Sequence, residues 1–181
     1  MTASTPTIGR VLVAYSSKMG STAEIAEAIG EELRKAGAEV DVSDARTAGP
    51  PFEYDAVVLG SGVYAARWLK PARRYLKQNR RQMAHRPTWL FQSGPCGEGA
   101  QTLRTEPSPK MAAIAREIGV DPPMVFGGNL DPARAKGRVA KWVANSDAAG
   151  DYRDWDQIRS WAASIAQRLA AEPREGPQPE R

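Results

Sequence analysis

The stretch "AYSSKMGSTAEIAEAI" (residues 14–29) joins the end of an apolar run to the start of a helical pattern through a short polar turn. The run "RVLVAYS" (residues 10–16) is apolar without alternation, which is typical of a strand buried on both faces. Residues 22–37 then place apolar side chains at helical spacing and stop at a glycine. The sequence therefore predicts a strand, a tight turn and a helix.

The rest of the chain repeats this alternation. Further strands are predicted at residues 39–44, 55–64, 88–94 and 123–130, and further helices at about 70–79, 108–119 and 154–171. Strands that alternate with helices indicate a parallel sheet covered on both faces. We predict an α/β, doubly wound sheet of five parallel strands in one domain, residues 9–172, between disordered tails at 1–8 and 173–181.

Composition excludes several classes of protein. With 181 residues, 41% of them hydrophobic, the chain has the size of one domain with a core. No apolar run approaches the roughly 20 residues that span a bilayer, and the N-terminus lacks the apolar centre of a secretory signal, so we expect a cytoplasmic protein. Cys96 is the only cysteine and His85 the only histidine, so we expect no metal site and read His85 as a surface residue.

Positive charge is unevenly distributed along the chain. The whole chain has a net charge of +4. Residues 67–86 contain eight Lys or Arg and no carboxylate, and residues 131–142 are basic again. Such segments attract anionic surfaces or ligands, or they form solvated helix faces. No zinc-finger or RNP-like motif accompanies them, so we predict no binding to nucleic acid.

The loops after three predicted strands are rich in glycine and serine. In a parallel sheet, ligands bind beyond the carboxyl ends of the strands, which directs attention to residues 16–22, 60–68 and 93–99. The first of these loops places four hydroxyl groups around Gly20 at the start of a helix, where unpaired N–H groups favour an anion. The sequence therefore predicts a phosphate site. The alternative is that Ser21 or Thr22 only caps the helix, but a cap needs one hydroxyl and not four.

Other phosphate and catalytic sites do not fit this loop. The Walker pattern and the dinucleotide-binding pattern are both absent after the first strand. That strand ends in Ser16 and Ser17 rather than in an acidic cluster for Mg²⁺, and Cys96 lies in the third loop, not in the first loop where a low-molecular-weight phosphatase needs its nucleophile. The "LGSGV" sequence is not the nucleophile elbow of a hydrolase.

The segment Ser17-Lys18-Met19-Gly20-Ser21-Thr22 resembles the first loop of flavodoxins, whose pattern is [ST]-x-T-G-x-T, with Met19 in place of the central threonine. The segments "VVLGSGVYAARWLKPARRYL" (57–76), "WLFQSGPCG" (89–97) and "GDYRDWDQIRSWA" (150–162) resemble the flavodoxin-like branch that includes the quinone-dependent protoporphyrinogen oxidase of bacteria. The resemblance covers residues 10–171 and implies a flavodoxin-like fold.

The resemblance implies FMN, with its phosphate in the first loop and its isoalloxazine between the second and third loops. The predicted cofactor-binding residues are Ser16, Ser17, Lys18, Met19, Gly20, Ser21, Thr22, Ser61, Gly62, Val63, Tyr64, Ser93, Gly94, Pro95, Cys96 and Gly97. Met19 would contribute only its backbone N–H, and Lys18 either supplies charge or points into solvent.

Gly60, Ser61 and Gly62 would let the backbone approach the flavin, and Tyr64 is the first choice for a ring that stacks on it. Trp68 either stacks as well or, as we favour, anchors the following helix in the core. Cys96 either reacts or, as we favour, packs as a small residue near the flavin.

The function predicted from this resemblance is an FMN-dependent oxidoreductase. Flavodoxins that carry electrons commonly hold the flavin between two aromatic rings and are strongly acidic, whereas this chain is basic and its third loop, "SGPCGEG", has no aromatic residue. An open flavin face would admit a flat organic substrate, such as a porphyrinogen, or a quinone. The flavin would carry the chemistry, and no catalytic residue of the chain is predicted.

Two other functions stay open at this point. One is an electron carrier to a protein partner, and the other is a cofactor-free binding module that docks through its basic face. The basic segments also suggest a peripheral contact with an anionic membrane.

Overall fold

The structure is a computed structural model that describes residues 8–64, 67–94, 109–135, 137–138, 141, 145 and 149–171. The strands are β1 (Gly9–Ser16), β2 (Ala38–Asp44), β3 (Ala56–Tyr64), β4 (Arg67–Trp68), β5 (Thr88–Ser93), β6 (Met124–Phe126), β7 (Asn129–Leu130) and β8 (Gly150–Asp151). The helices described in full are α1 (Ser21–Lys35), α2 (Lys70–Ala84), α3 (Pro109–Glu117) and α4 (Trp155–Ala171).

Five strands form a parallel sheet in the order β2-β1-β3-β5-β6. This confirms the prediction of a doubly wound, flavodoxin-like α/β fold with five parallel strands. The sheet order changes direction between β1 and β3, and Ser16 at the end of β1 lies opposite Ser61 of β3. The carboxyl ends of these two strands therefore lie side by side at one edge of the molecule.

Helices cover both faces of the sheet, as predicted. On one face α1 and α4 pack on side chains such as Val11, Val13 and Phe91, and on the other face α2 and α3 pack on side chains such as Leu12 and Leu59. The alternation along β1 explains this division, because successive strand residues point to opposite faces. The core residues of β1 are fully buried, as expected for a strand covered on both sides.

Helix α1 faces the sheet through Ile25, Ile29 and Leu33, which follow each other at intervals of four residues and are fully buried. Gly30 lets the helix approach the sheet, since a Cβ atom there would lie 2.6 Å from Cγ2 of Val42. The helix gives way to β2 through Gly37, which has a φ angle of 96°. The residues of α1 therefore fix both its position on the sheet and its end.

The structure adds features that the sequence pattern did not indicate. The short strand β4 turns back antiparallel to the end of β3, and the predicted strand 123–130 is two strands, β6 and β7. Strand β7 leaves the sheet and pairs antiparallel with β8. Helix α2 continues to Ala84, beyond the predicted end at 79, and Ile8, assigned to a tail, is buried in the core. The rest of both predicted tails lies outside the described residues.

Candidate cofactor-binding site

The first loop, residues 17–20, enters α1 without a side-chain cap. Gly20 occupies the N-cap position in a left-handed conformation, with φ 94° and ψ −21°, and no side chain caps the helix there. The hydroxyl of Ser17 instead accepts a hydrogen bond from the N–H of Gly20, at 3.0 Å. Ser21 and Thr22 lie inside the helix, so capping does not explain their hydroxyl groups.

The hydroxyl groups of Ser21 and Thr22 have partners in other segments of the chain. Thr22 Oγ1 shares a hydrogen bond with Ser93 Oγ at 2.7 Å, and Ser21 Oγ accepts from the N–H of Asn129 at 3.0 Å. A hydroxyl that accepts one bond retains its proton for another partner. The first N–H groups of α1 also have no partner inside the helix. The loop therefore offers several donors and no carboxylate of its own.

Ser16, at the end of β1, has a hydroxyl oxygen that is buried and has no hydrogen-bond partner among the described residues. The residue is 2% exposed. A buried hydroxyl without a partner is uncommon and costs free energy, which is a reason to expect a ligand at this edge of the sheet. Together with the donors of the first loop, it fits the oxygen atoms of a phosphate group.

The second loop contacts the first. A Cβ atom on Gly62 would lie 3.1 Å from Thr22 Oγ1 and 3.1 Å from a ring carbon of Tyr64, so this position has little room for a side chain. The Nζ atom of Lys18 lies 5.2 Å from the centre of the Tyr64 ring. The Lys18 side chain therefore faces the second loop. Val63 and Tyr64 are half-buried beside these groups.

Two residues of the second loop have structural partners. The hydroxyl of Ser61 donates to the carbonyl oxygen of Gly62 at 2.8 Å and accepts from the N–H of Leu69 at 2.9 Å, so it holds the turn from β3 to β4. A Cβ atom on Gly60 would lie 2.0 Å from the ring of Phe91, so the packing of the sheet explains that glycine.

The third loop begins where Ser93 bonds to the first loop. Gly94 follows with φ 122°, and a Cβ atom there would lie 3.3 Å from the carbonyl oxygen of Val63. The structure therefore brings the starts of all three predicted loops together. Pro95, Cys96 and Gly97, also predicted to bind the cofactor, lie outside the described residues.

Trp68 and His85 lie where the sequence placed them. Trp68 is 2% exposed in the core with Ala72 and Leu76, and its indole N–H donates to Gln92 Oε1 at 3.2 Å. This confirms that it anchors α2. His85 is exposed.

A cluster of charged residues beside the first loop was not predicted. Arg134 and Arg153 each donate to one oxygen of Glu24, in the first turn of α1, at 2.5 Å. The hydrogen bond from Arg134 has the larger effect and that from Arg153 the next, and together they hold the pKa of Glu24 below its ordinary value. Only the basic character of residues 131–142 indicated such a cluster, because its members come from three distant parts of the chain.

Helix α2 carries exposed cations that, unlike Arg134 and Arg153, form no ion pair within the described part of the chain. Lys70, Arg74, Lys77 and Arg81 are exposed on the side opposite its buried residues. Within the described part of the chain, no carboxylate forms an ion pair with any of these four, which we call the α2 stripe. Its first member lies at the start of α2, just after the β4 turn.

A cleft of about 720 Å³ lies elsewhere, between the edge strand β6 and one side of α4. Trp89, Met124, Tyr152, Trp161 and Arg168 are among its lining residues. It does not include the loops that follow β1 and β3. The hydrogen bonds described above, rather than the size of a cavity, therefore mark the candidate site.

Two absences hold for the described residues. No helix there has the length and apolar character needed to cross a membrane. No group of three or more His, Cys, Asp or Glu side chains in that part of the chain could hold a metal ion.

Solved structures of flavodoxins resemble this fold. A flavodoxin from the domain Archaea is 18% identical, with a TM-score of 0.60, over 88% of this chain and 98% of its own. Flavodoxin 2 from Bacillus cereus is also 18% identical, with a TM-score of 0.59, over 88% and 99% of the two chains. At these identities the likeness establishes the fold alone.

A larger protein contains a similar region. The rubredoxin oxygen:oxidoreductase of Desulfovibrio gigas is 21% identical, with a TM-score of 0.58, over 92% of this chain and 37% of its own. This chain thus matches only about a third of that protein. No curated protein sequence matches the chain.

The sequence also matches a family directly. The model of the flavodoxin domain matches residues 12–135, which is more than half of the chain. Flavodoxins are FMN-binding flavoproteins, so the prediction of FMN as the cofactor is confirmed at the level of the family. Nothing in these matches supports the protoporphyrinogen oxidase branch. The matched residues include the first loop, both strands of the switch point and Arg134, and the chain belongs to the flavodoxin family.

Proposed function

We propose that this chain is an FMN-dependent oxidoreductase that transfers electrons between an organic substrate and a quinone-type acceptor. The observation that carries the proposal is the contact of the three loops at the β1/β3 switch point in a member of the flavodoxin family. Thr22 bonds to Ser93 there, and Gly62 leaves the space between Thr22 and Tyr64 without a side chain. Bound FMN would supply the electron-transfer chemistry.

The phosphate end of FMN would bind in the first loop. Ser16, Ser17, Ser21 and Thr22 would donate hydroxyl protons, and the N–H groups of Lys18, Met19, Ser21 and Thr22 would donate from the backbone. Met19 has no side-chain donor, and the N–H of Gly20 is already bonded to Ser17 Oγ. Gly20 supplies the left-handed turn that lets the chain enter α1. The macrodipole of α1 adds a partial positive charge at the same place.

The isoalloxazine end would lie between the second and third loops. Gly62 and Gly94 keep side chains out of this space, Val63 borders it, and the Tyr64 ring, with Lys18 over it, is our proposed stacking partner. Ser61 would contribute backbone groups only, because its hydroxyl is already bonded twice. Ser93, Pro95, Cys96 and Gly97 complete the proposed set.

Enzymatic turnover is favoured over electron carriage by charge and by loop composition. The third loop has no aromatic residue to cover the second face of the flavin, and α2 presents a row of cations, whereas flavodoxins that carry electrons are commonly strongly acidic. Porphyrinogen as donor rests on the resemblance of residues 57–76, 89–97 and 150–162 to one branch of the family. A carrier to a protein partner is the alternative.

Cofactor titration tests the phosphate assignment. Replacing Ser17 and Thr22 together with Ala should weaken FMN binding by about 1–3 kcal/mol, at about 0.5–1.5 kcal/mol for each lost hydrogen bond, and should leave riboflavin binding nearly unchanged. Fluorescence quenching of each flavin by the apoprotein measures both affinities. Replacing Thr47 and Ser164 with Ala, two exposed hydroxyls outside the loops, is the matched control. Equal wild-type affinity for the two flavins would contradict the phosphate site.

Tyr64 tests the flavin end. Tyr64→Ala should weaken FMN and riboflavin by the same factor and shift the reduction potential of bound FMN, because stacking weighs differently on the oxidised and reduced rings. Tyr64→Phe should retain most of the wild-type values. An unchanged potential in Tyr64→Ala would remove the stacking role.

Acceptor assays test the oxidoreductase. Anaerobic reoxidation of the reduced protein by menaquinone analogues should be faster than that of free FMN, and protoporphyrinogen should be tested as the donor. Reoxidation no faster than that of free FMN would remove the enzymatic function and leave an electron carrier.

We also propose that the α2 stripe holds the chain against an anionic membrane on its cytoplasmic side, where quinones reside. Each Lys or Arg near an anionic leaflet contributes about 1 kcal/mol, so four residues suffice for reversible, salt-sensitive attachment. Changing the whole stripe to Gln should abolish sedimentation with anionic liposomes at low salt. The control changes four ion-paired cations elsewhere, Lys35, Arg46, Arg159 and Arg168, to Gln and so removes the same net charge. Failure of the wild-type chain to bind any liposome would contradict this contact.

A further inference from the structure

The segment that joins β6 to α4 reaches back to the first loop. Strands β7 and β8 pair with each other outside the main sheet, and the N–H of Asn129 in β7 donates to Ser21 Oγ in α1. We call residues 129–134 and 150–153 the ribbon segment. Its contact with Ser21 places it beside the proposed phosphate site.

Arg134, at the end of the first part of the ribbon segment, lies over the first loop. Its Nη1 atom is 3.4 Å from the position that a Cβ atom of Gly20 would occupy. Asp131 holds the preceding turn, because its carboxylate accepts a hydrogen bond from the N–H of Ala133 at 2.8 Å. The Arg134 side chain is 51% exposed. An anion at the loop would therefore have a partly accessible guanidinium beside it.

Arg153 fixes the partner of Arg134. Its side chain is only 6% exposed, lies over the ring of Trp155, and donates to Asp151 through Nε and Nη2 at 2.8 and 2.6 Å. It also donates to Glu24, whose other oxygen binds Arg134. The Glu24 carboxylate therefore has a defined position, and it orients the Arg134 guanidinium.

Charge balance distinguishes the two arginines. The guanidinium of Arg153 forms two hydrogen bonds with Asp151, whereas that of Arg134 forms one hydrogen bond, to Glu24, and a longer ion pair from Nε to Asp131 Oδ2 at 3.7 Å. A guanidinium has five N–H donors, so most of those on Arg134 stay available to an oxygen ligand. The Glu24 carboxylate alone would repel a phosphate dianion in the first loop.

We propose that Arg134 recognises the phosphate charge of the cofactor, and that Glu24, fixed by Arg153, is the positioning residue that holds it beside Gly20. This inference rests on the proposed FMN site, and it assigns a phosphate-binding role to a residue outside the three loops of the sheet edge. Riboflavin, which has no phosphate, should not sense Arg134.

The test compares FMN and riboflavin affinities in three variants. Arg134→Gln should bind FMN about tenfold more weakly, equivalent to about 1.4 kcal/mol, and riboflavin within about twofold of wild type. Arg134→Lys should recover most of the FMN affinity, since a point charge suffices for a phosphate. Arg80→Gln is the matched control, because Arg80 is 52% exposed and pairs with one carboxylate, Glu117, at 3.0 Å. It should bind both flavins as wild type does.

Glu24→Gln separates recognition of charge from a structural role. The amide of Gln keeps an oxygen that can accept the hydrogen bond from Arg134, so it retains the position of the guanidinium while removing the negative charge. If Arg134 acts by its charge, FMN affinity in Glu24→Gln should therefore hold or rise by a few-fold. If the ribbon segment only stabilises the loop, Glu24→Gln and Arg134→Gln should both weaken FMN and riboflavin alike, which would overturn the proposal. Added NaCl should also reduce the difference between wild type and Arg134→Gln.

The two levels of the proposal fail in different ways. A wild-type chain with equal affinities for FMN and riboflavin would remove the phosphate site itself. A wild-type preference for FMN that survives intact in Arg134→Gln would keep the site and overturn the role of Arg134.

Discussion

The ribbon segment and α2 are both rich in arginine, yet they use the charge in opposite ways. In the ribbon segment, Arg134 and Arg153 bind carboxylates at 2.5–2.8 Å, and one of them is almost fully buried. The four cations of the α2 stripe are exposed and have no carboxylate partner among the described residues. A basic stretch in a sequence therefore shows where positive charge lies, but not whether that charge is paired, because the carboxylate partners come from other parts of the chain.

The arrangement of α2 has a cost in stability. Lys70 lies in the first turn, where the helix macrodipole disfavours a cation, and the stripe places like charges three or four residues apart. Each such pair destabilises a helix by about 0.2–0.5 kcal/mol. Within the described part of the chain no carboxylate pairs with the stripe, which is consistent with a surface whose anionic partner is another molecule.

Core packing of α2 should have the largest effect. Trp68 is buried under the start of this helix and bonds to Gln92, so Trp68→Ala should lower the free energy of unfolding by about 3–5 kcal/mol. Urea denaturation monitored by circular dichroism measures the change. Tyr64→Ala, in the half-buried turn nearby, should cost far less, and equal losses for both variants would contradict the separation of core and site.

Substitution of a paired and an unpaired arginine tests the comparison itself. Arg153→Gln should lower the free energy of unfolding by about 1–3 kcal/mol, because Asp151 and Glu24 lose a shared, buried partner. Arg81→Gln in the α2 stripe should change it by less than about 0.5 kcal/mol. Denaturant midpoints at one fixed FMN concentration measure both. A loss in Arg81→Gln as large as in Arg153→Gln would show that the stripe has structural partners.

The contact between the first and second loops should be weaker. Lys18 lies over the ring of Tyr64, and exposed cation–π pairs contribute about 0.5–1 kcal/mol. A double-mutant cycle of Lys18→Ala and Tyr64→Ala should give a coupling energy of that size in unfolding experiments on the apoprotein. A coupling of zero would mean that the contact between Lys18 and Tyr64 adds nothing to the stability of the folded chain.

The smallest effect concerns the pH dependence of stability. Hydrogen bonds from Arg134 and Arg153 lower the pKa of Glu24 in the folded chain below its ordinary value of 4.5. Because the unfolded chain binds this proton more readily, the stabilisation is complete above pH 4.5 and is lost as the pH falls through the lower, folded pKa. In Glu24→Gln, the fall in stability below about pH 4.5 should therefore be shallower. An unchanged slope between wild type and variant would contradict the ion-pair geometry at Glu24.

Much of the fold followed from local patterns in the sequence. The apolar run of β1 indicates a strand that is buried on both faces. The spacing of Ile25, Ile29 and Leu33 indicates a helix with one buried face, and the structure has both. The five parallel strands and the first loop could therefore be predicted, as could FMN through the loop pattern around Gly20. The burial of Trp68 also followed, because it shares helical spacing with Ala72 and Leu76.

The remaining features of the site depend on contacts between residues far apart in the chain. The bond from Thr22 to Ser93 spans 71 residues, and those from Glu24 to Arg134 and Arg153 span 110 and 129. Residue spacing within one segment contains no information about such pairs. The sequence by itself determined the strands, the helices and the hydroxyl-rich loop, because these depend on neighbouring residues. Only the tertiary structure decided that Ser61 is bonded within its own turn, that Lys18 faces Tyr64 and that Arg134 lies beside Gly20, because side-chain partners depend on how distant segments pack.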